Sequence, residues 1–152
     1  MSHDARQILA SMLKHIFVSV IIAFHASLSN VWDTTDGQTV VFDKIETNIG
    51  GAYNGTTGVF TAPISGSYVF SLTYHMFYDK SHVSIGQLRI MQNNDVIIRV
   101  YRSLNNELHG ATASGTTALF LNKGDHVYVQ AGDTHMSIGS NKFSYFTGFL
   151  LG

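Results

Sequence analysis

The sequence predicts an all-β protein: a ten-stranded antiparallel jelly-roll sandwich with a short N-terminal helix. Two observations lead to this prediction. From residue 18 onward, apolar and polar residues alternate with a period of two, which is the spacing of a strand with one buried face. These short runs are separated by glycine-rich turns with no helical pattern between them, an arrangement typical of sandwiches and jelly rolls.

The composition fits one domain with a buried core. Of 152 residues, 45% are hydrophobic and 12% are charged, whereas about 25% charged residues is usual for soluble domains. A surface so poor in charge suggests that part of it is covered by self-association. The net charge of −1 provides no basic patch for nucleic acid. Cysteine is absent, which excludes a disulfide framework and thiolate metal sites.

Residues 1–17 form an N-terminal extension, of which residues 4–17 are predicted to be helical. Apolar residues recur there at helical spacing, namely Ile8, Leu9, Met12, Leu13 and Ile16. Ser2 or Asp4 can cap the helix start. The segment is either a trimerisation segment, in which three copies pack as a short bundle, or a frayed tag remnant. The sequence leaves both interpretations open.

Residues 12–30 also allow two interpretations. A basic start, an apolar run and small residues are typical of a secretory signal peptide. The same residues predict an opening strand over residues 18–29, which we favour. The apolar run Ile16–Phe24 is too short to span a membrane.

The clearest later strand is predicted over Gly66–Tyr78, because every second residue is apolar. Gly86 interrupts the next strand pattern and predicts a bulge. Four further strands are predicted. Gln87–Met91 and Val96–Tyr101 flank a tight hairpin turn at residues 93–95, and Thr116–Leu121 and His126–Ala131 flank a second turn at residues 122–125. The last strand, Phe143–Leu151, is largely apolar on both faces.

A set of residues at fixed spacing carries a family resemblance. The set is Phe42, Asn48, Tyr53, Phe60, Gly66, Tyr68 and Phe70. It resembles the signature of the globular C1q domain, with Leu72 in place of one further aromatic. The segments 23–29, 114–130 and 144–152 also read like members of that family, and the first of them favours the opening strand over a signal peptide. The resemblance covers residues 18–152. The sequence contains no Gly-X-Y repeats of a collagen stalk, so it resembles the head-only branch of the family, whose members lack that stalk.

The resemblance implies a homotrimeric binding protein with no catalytic activity. Head-only members include secreted immune lectins, so we expect a soluble pattern-recognition protein that binds carbohydrate or microbial surface ligands through three weak sites. The alternative is a secreted C1q/tumour-necrosis-factor-like ligand or extracellular scaffold that binds a protein receptor. We predict trimer contacts on the last two strands, at Tyr128, Tyr145, Phe146 and Phe149.

Ligand-binding residues are expected in loops at one end of the sandwich. The candidates are Arg102, Asn106, Glu107, His109, Asp133 and His135, and residues 78–82 form a further candidate loop. Several C1q relatives bind calcium through an acidic loop that corresponds here to residues 102–113. This loop keeps one acid, Glu107, so the calcium site is depleted, and we predict no metal and no other cofactor.

Motifs for catalysis are missing from the sequence. The serines lack a G-x-S-x-G elbow, the glycine-rich residues 50–58 lack the G-x-G-x-x-G spacing, and the carboxylates are scattered. The eight histidines show no metal-ligand spacing, although one near a threefold axis could bind zinc or sense pH. Asn54 begins an N-glycosylation sequon in a predicted turn, which permits an extracellular location.

Overall fold

The computed structural model describes residues 1–14, 19–77, 85–103, 110–132 and 135–152. Within these residues one helix precedes twelve strands, two more than the sequence predicts, because several two-residue strands lack any periodic signal. The elements are α1 (His3–Lys14), β1 (Ala23–Ser27), β2 (Trp32–Asp33), β3 (Lys44–Ile49), β4 (Tyr53–Asn54), β5 (Val59–Thr61), β6 (Gly66–Phe77), β7 (Ile85–Gln92), β8 (Asp95–Ser103), β9 (Gly110–Leu121), β10 (His126–Ala131), β11 (Ser137–Ile138) and β12 (Tyr145–Leu150).

The strands form two antiparallel sheets, which confirms the predicted all-β jelly-roll architecture. The seven-stranded sheet has the order β2-β11-β6-β12-β1-β3, with β9 on the other edge of β6. The five-stranded sheet has the order β4-β5-β10-β7-β8. The long strands β6 and β9 pair over their whole lengths, from Gly66 opposite Leu121 to Phe77 opposite Gly110.

An aromatic core fills the space between the sheets. Phe24 of β1 stacks on Tyr53 of β4 with ring centroids 4.5 Å apart and planes 1° from parallel. Phe60, Phe70 and Phe146 pack around this pair. All five rings are buried, and so much apolar area removed from water is the main stabilisation of a sandwich of this size.

The signature residues are core residues or support the core. Its five aromatic residues are buried, and so is Leu72, which stands where the signature has one more aromatic. Gly66 lies in close packing, since a Cβ there would lie 2.9 Å from Leu150 Cδ1 and 3.2 Å from the Gly152 carbonyl oxygen. Asn48 is the polar exception: its side chain donates to the Tyr53 carbonyl and accepts from the Tyr53 N–H. The signature residues therefore stabilise the core of the domain.

The predicted helix is present over His3–Lys14, and Ser2 is its cap. Ser2 Oγ accepts a hydrogen bond from Ala5 N at 3.2 Å. The side chains of the apolar stripe that are described, those of Ile8, Leu9, Met12 and Leu13, are exposed. The C-terminal part of the predicted helix, residues 15–17, lies outside the described residues.

The predicted bulge at Gly86 is wrong. Gly86 pairs regularly with Arg102, and the irregularity in this strand pair falls between Ile90 and Met91. Glycine is favoured at residue 86 for another reason: a Cβ would lie 2.4 Å from Met136 Sδ and 2.7 Å from Met76 Sδ. The glycine in this strand therefore reflects a close packing contact rather than the extra residue of a β-bulge.

The first predicted hairpin turn is confirmed at Asn93 and Asn94, with Asn93 at a φ of 52°. The last strand begins later than predicted, at Tyr145 rather than Phe143. Asn141 and Lys142 have φ of 53° and 67°, and this turn conformation interrupts the extended chain just before Phe143.

Candidate functional site

The outward face of the seven-stranded sheet is large and carries no charged side chain on four of its strands. In the described parts of β1, β6, β9 and β12, outward-facing positions hold small, hydroxyl, aromatic and histidine side chains, without Asp, Glu, Lys or Arg. Phe120 at one end is 64% exposed, and Phe149 is 42% exposed. Charged residues flank this uncharged face at one edge, where Glu46 lies 3.9 Å from both Lys44 and Lys142.

The hydroxyl groups of the uncharged face bond to one another across neighbouring strands. Ser71 pairs with Thr116 at 2.8 Å, and Thr73 pairs with Ser114 at 2.8 Å. Next to them, His75 Nδ1 lies 2.9 Å from Thr112 Oγ1. Polar groups that already have partners lose little when a second surface covers them. The face is therefore suited to burial against another protein surface.

An apolar cleft of about 590 Å³ adjoins the uncharged face at Phe149. Its walls are Ser19–Ala23, Ile64 and the C-terminal residues Phe149–Gly152. Ile21 and Leu151 are each 62% exposed there. Phe149 belongs to both features, so the cleft and the face form one continuous uncharged surface.

The structure separates the four predicted trimer contacts. Tyr145 and Phe149 lie on the uncharged face. Phe146 is fully buried inside the subunit against Phe24, so its assignment to a subunit interface is wrong. Tyr128 lies on the five-stranded sheet, where its hydroxyl donates to the Asn93 carbonyl at 2.7 Å. Only two of the four candidates thus share a surface.

The predicted ligand-binding residues are only partly described. Asn106, Glu107, His109 and Asp133 lie outside the described residues, as do residues 78–82. Arg102 is exposed near the end of β8. Close to it, burial raises the pKa of the Tyr74 hydroxyl, and the positive charge of Arg102 opposes that shift. His135 is exposed as well.

Metal ligands do not cluster in the described part of the chain: no three His, Asp or Glu side chains there lie close enough to hold an ion. The expectation about calcium concerns Glu107, outside the described residues, and stays a prediction. Asn54 of the sequon is exposed, and its Oδ1 accepts from Thr56 N at 2.8 Å and Thr57 N at 3.2 Å. Within the described ranges, no helix is both long and apolar enough to cross a bilayer.

Sequence reasoning missed a polar cluster on the outward face of the five-stranded sheet. Arg89 of β7 lies directly opposite Arg99 of β8, and Gln130 of β10 lies opposite Arg89 on its other side. Gln87 Oε1 accepts from Arg89 Nε at 3.0 Å and from Arg99 Nη1 at 2.9 Å. The alternation of β7 and β8 could have placed each arginine on the outer face, but the register that brings them together is not a local signal.

Comparisons with known proteins agree with this architecture. A sequence profile of the C1q domain matches residues 23–151. The chain is 33% identical over 130 residues to complement C1q tumor necrosis factor-related protein 3 of Mus musculus, covering 86% of this chain and 51% of that protein. The Homo sapiens protein of that name is 33% identical over 132 residues, with 86% and 51% covered. The chain spans about half the length of these curated relatives.

Solved structures show the same fold. The globular domain of zebrafish complement 1qA protein superposes with a TM-score of 0.71 at 19% identity, covering 86% of this chain and 98% of that chain. The structure of Eiger TNF from S. frugiperda superposes with a TM-score of 0.70 at 14% identity, covering 88% and 94%. The profile match, the identity to C1q-related proteins and the two-sheet topology agree, and the chain belongs to the C1q domain family.

Proposed function

We propose that this chain is a subunit of a homotrimer that assembles through the uncharged face of its seven-stranded sheet. The observation that carries the proposal is that face itself, in which exposed aromatic rings flank hydroxyls already bonded to one another. Depletion of charge and enrichment in aromatic residues are typical of interface cores. Assembly around a threefold axis closes the set of contacts, so no copy of the face stays open.

The assembled protein is a secreted recognition protein without catalytic activity, and its ligands are carbohydrates or microbial surface components. Three identical subunits present three identical sites, so sites of about millimolar to micromolar affinity gain about 10² to 10⁴-fold in avidity on a repetitive surface. Assembly through the seven-stranded sheet would leave the outward face of the five-stranded sheet accessible to ligands. Neither nucleic acid nor a membrane is proposed as a partner.

A second candidate function is a secreted ligand or extracellular scaffold for a protein receptor. The names of the curated relatives, complement C1q tumor necrosis factor-related proteins, support it. A receptor would bind a flat surface with aromatic or arginine hot spots, whereas a saccharide would bind a small polar site beside an aromatic ring.

An array of glycans and microbial polysaccharides tests the recognition proposal directly. Purified protein of measured oligomeric mass is applied with calcium and again with a chelator. We expect selective binding by the trimer that a chelator leaves unchanged, because no metal is proposed. A blank array from a folded trimer would overturn the carbohydrate proposal and favour the receptor ligand. A monomeric mass at micromolar concentration would overturn the assembly.

A further inference from the structure

We infer that the outward face of the five-stranded sheet holds a binding site for an oxyanion, a carboxylate or sulfate group of an acidic saccharide. Its centre is the cross-strand pair Arg89 and Arg99, with Gln87, Gln130 and Tyr101 around it. The inference rests on the proposed function, since it names the chemical class of saccharide and the surface that binds it. We call these five residues the arginine site.

The first argument is the position of two like charges. Arg89 and Arg99 face each other across β7 and β8, in a register fixed by eight paired positions from Ile85–Ser103 to Gln92–Asp95. Like charges directly opposite each other destabilise a sheet. Both guanidinium groups bond to the same oxygen, Gln87 Oε1, so their bonding nitrogens lie within about 6 Å of each other. A single oxyanion bound at this place would be within reach of both guanidinium groups.

The second argument is the kind of group that holds the arginines in place. Gln87 and Gln130 accept hydrogen bonds from the guanidinium groups through amide oxygens, at 2.9 to 3.4 Å. An amide orients an arginine without neutralising it, whereas a glutamate at the same place would cancel the charge. Among the described residues, no carboxylate forms an ion pair with Arg99. The positive charge of Arg99 is therefore oriented and still available to an anion.

The amides are themselves fixed. Gln130 Nε2 donates to the Gly37 carbonyl at 3.2 Å, which leaves its oxygen directed at Arg89 Nη1. Gln87 lies over Gly132, where a Cβ would come 2.8 Å from Gln87 Oε1 and 2.9 Å from Gln87 Cβ, so glycine at residue 132 leaves room for this side chain. The donors of the arginine site are thus positioned before a ligand arrives, which lowers the entropic cost of binding.

The third argument is the aromatic ring beside the charges. Tyr101 follows Arg99 by two residues on the same face of β8 and lies opposite Gln87. Its side chain is 55% exposed. A polar group that fixes an anion next to an apolar ring that covers one face of a sugar is the usual composition of a saccharide site. In the proposed trimer this sheet faces outward, so the assembly would present three arginine sites.

The test compares the binding of charged and neutral polymers by the 152-residue chain. Sulfated dextran, polygalacturonate and neutral dextran are immobilised, and binding of the wild type, Arg99→Gln, Arg99→Lys and Arg89→Gln is measured at two salt concentrations. We expect binding to both acidic polymers and none to neutral dextran, with weaker binding at high salt. Arg99→Gln should weaken binding about tenfold. Arg99→Lys should weaken it less, because lysine keeps the positive charge but lacks the two parallel N–H donors of the guanidinium group.

Lys123→Gln is the matched control, because it removes one positive charge from the turn between β9 and β10, away from the arginine site. It should bind like the wild type. The double variant Arg89→Gln/Arg99→Gln should lose less than the product of the two single losses, because one oxyanion contacts both groups. Thermal unfolding of each variant separates a binding loss from misfolding, and Arg99→Lys supplies a second variant that keeps the charge.

The outcomes separate the two proposals. Equal losses for Arg99→Gln and Lys123→Gln would overturn the arginine site, as would a wild type that binds only neutral glycans. In both cases the glycan-binding function would stand. A wild type that binds no polymer here and no glycan on the array would overturn both.

Discussion

The side chain of Asn48 forms two hydrogen bonds with the backbone of Tyr53, as the backbone of a neighbouring strand would. Asn48 Nδ2 donates to the Tyr53 carbonyl at 2.8 Å, and Tyr53 N donates to Asn48 Oδ1 at 3.2 Å. The Tyr53 hydroxyl in turn donates to the Phe42 carbonyl at 3.0 Å. Three signature residues are therefore linked by hydrogen bonds, which explains why an amide is required among aromatic residues.

Asn48→Ala should destabilise the subunit, because it removes both bonds and leaves the Tyr53 backbone groups without partners. We expect a loss of about 2 kcal/mol in the free energy of unfolding, measured by urea denaturation. Asn30→Ala is the control, since Asn30 is exposed and its amide bonds only to the neighbouring Ser29 among the described contacts. An Asn48→Ala protein as stable as the control would contradict this role.

Gly148→Ala should also destabilise the subunit, by overpacking the core. A Cβ at residue 148 would lie 2.5 Å from the ring of Phe70 and 2.7 Å from that of Phe24. Overpacking of this kind costs about 1–3 kcal/mol. Phe70→Leu makes room, so the double variant should lose less stability than the two single losses together, as denaturant midpoints would show. Strict additivity would indicate that the ring is not the obstacle.

Phe149→Glu should convert the assembly to monomers. It places a charge where the uncharged face meets the apolar cleft, and an unpaired charge in an interface is strongly unfavourable. Ser71→Glu, at the centre of the face, should act in the same way. Val96→Glu on the five-stranded sheet is the matched control and should stay trimeric. Sedimentation equilibrium gives the masses, and a trimeric Phe149→Glu protein would rule out this face.

Asp125→Asn should weaken the fold at neutral pH but not in strong acid. Hydrogen bonds from Asn122 N and the Asn93 amide lower the pKa of Asp125 below its ordinary value of 3.8. A carboxyl group whose pKa is lower in the folded state than in the unfolded state stabilises the fold at pH values above the unfolded-state pKa. This contribution is lost as the pH falls through the folded-state pKa. The difference in Tm between wild type and variant should therefore shrink between about pH 5 and about pH 2.

A difference in Tm that stays constant over this range would show that the charge of Asp125 does not strengthen its hydrogen bonds to Asn93 and Asn122. Asp95→Asn is a useful reference, because it removes a carboxylate from an exposed position beside the neighbouring turn between β7 and β8. Its Tm should follow that of the wild type in parallel.

Local patterns were enough to predict the strands and most of the core. Alternation along β6 assigns Tyr68, Phe70, Leu72, Tyr74 and Met76 to one face, and all five are buried. The period of two is a property of the extended backbone, so it is visible in any single strand. Asn48 and the aromatic residues of the signature were likewise visible at fixed spacing, before their contacts were known.

The sequence by itself determined that this chain is a two-sheet sandwich of the C1q family, with strands, turns and a helix near their predicted places. Only the tertiary structure decided which apolar face of the last strand is the inner one: Phe146 fills the core and Phe149 lies outside. It also brought Arg89 opposite Arg99. Both outcomes depend on register and on the facing sheet, which are set by contacts between residues distant in sequence, and alternation within one strand carries no information about them.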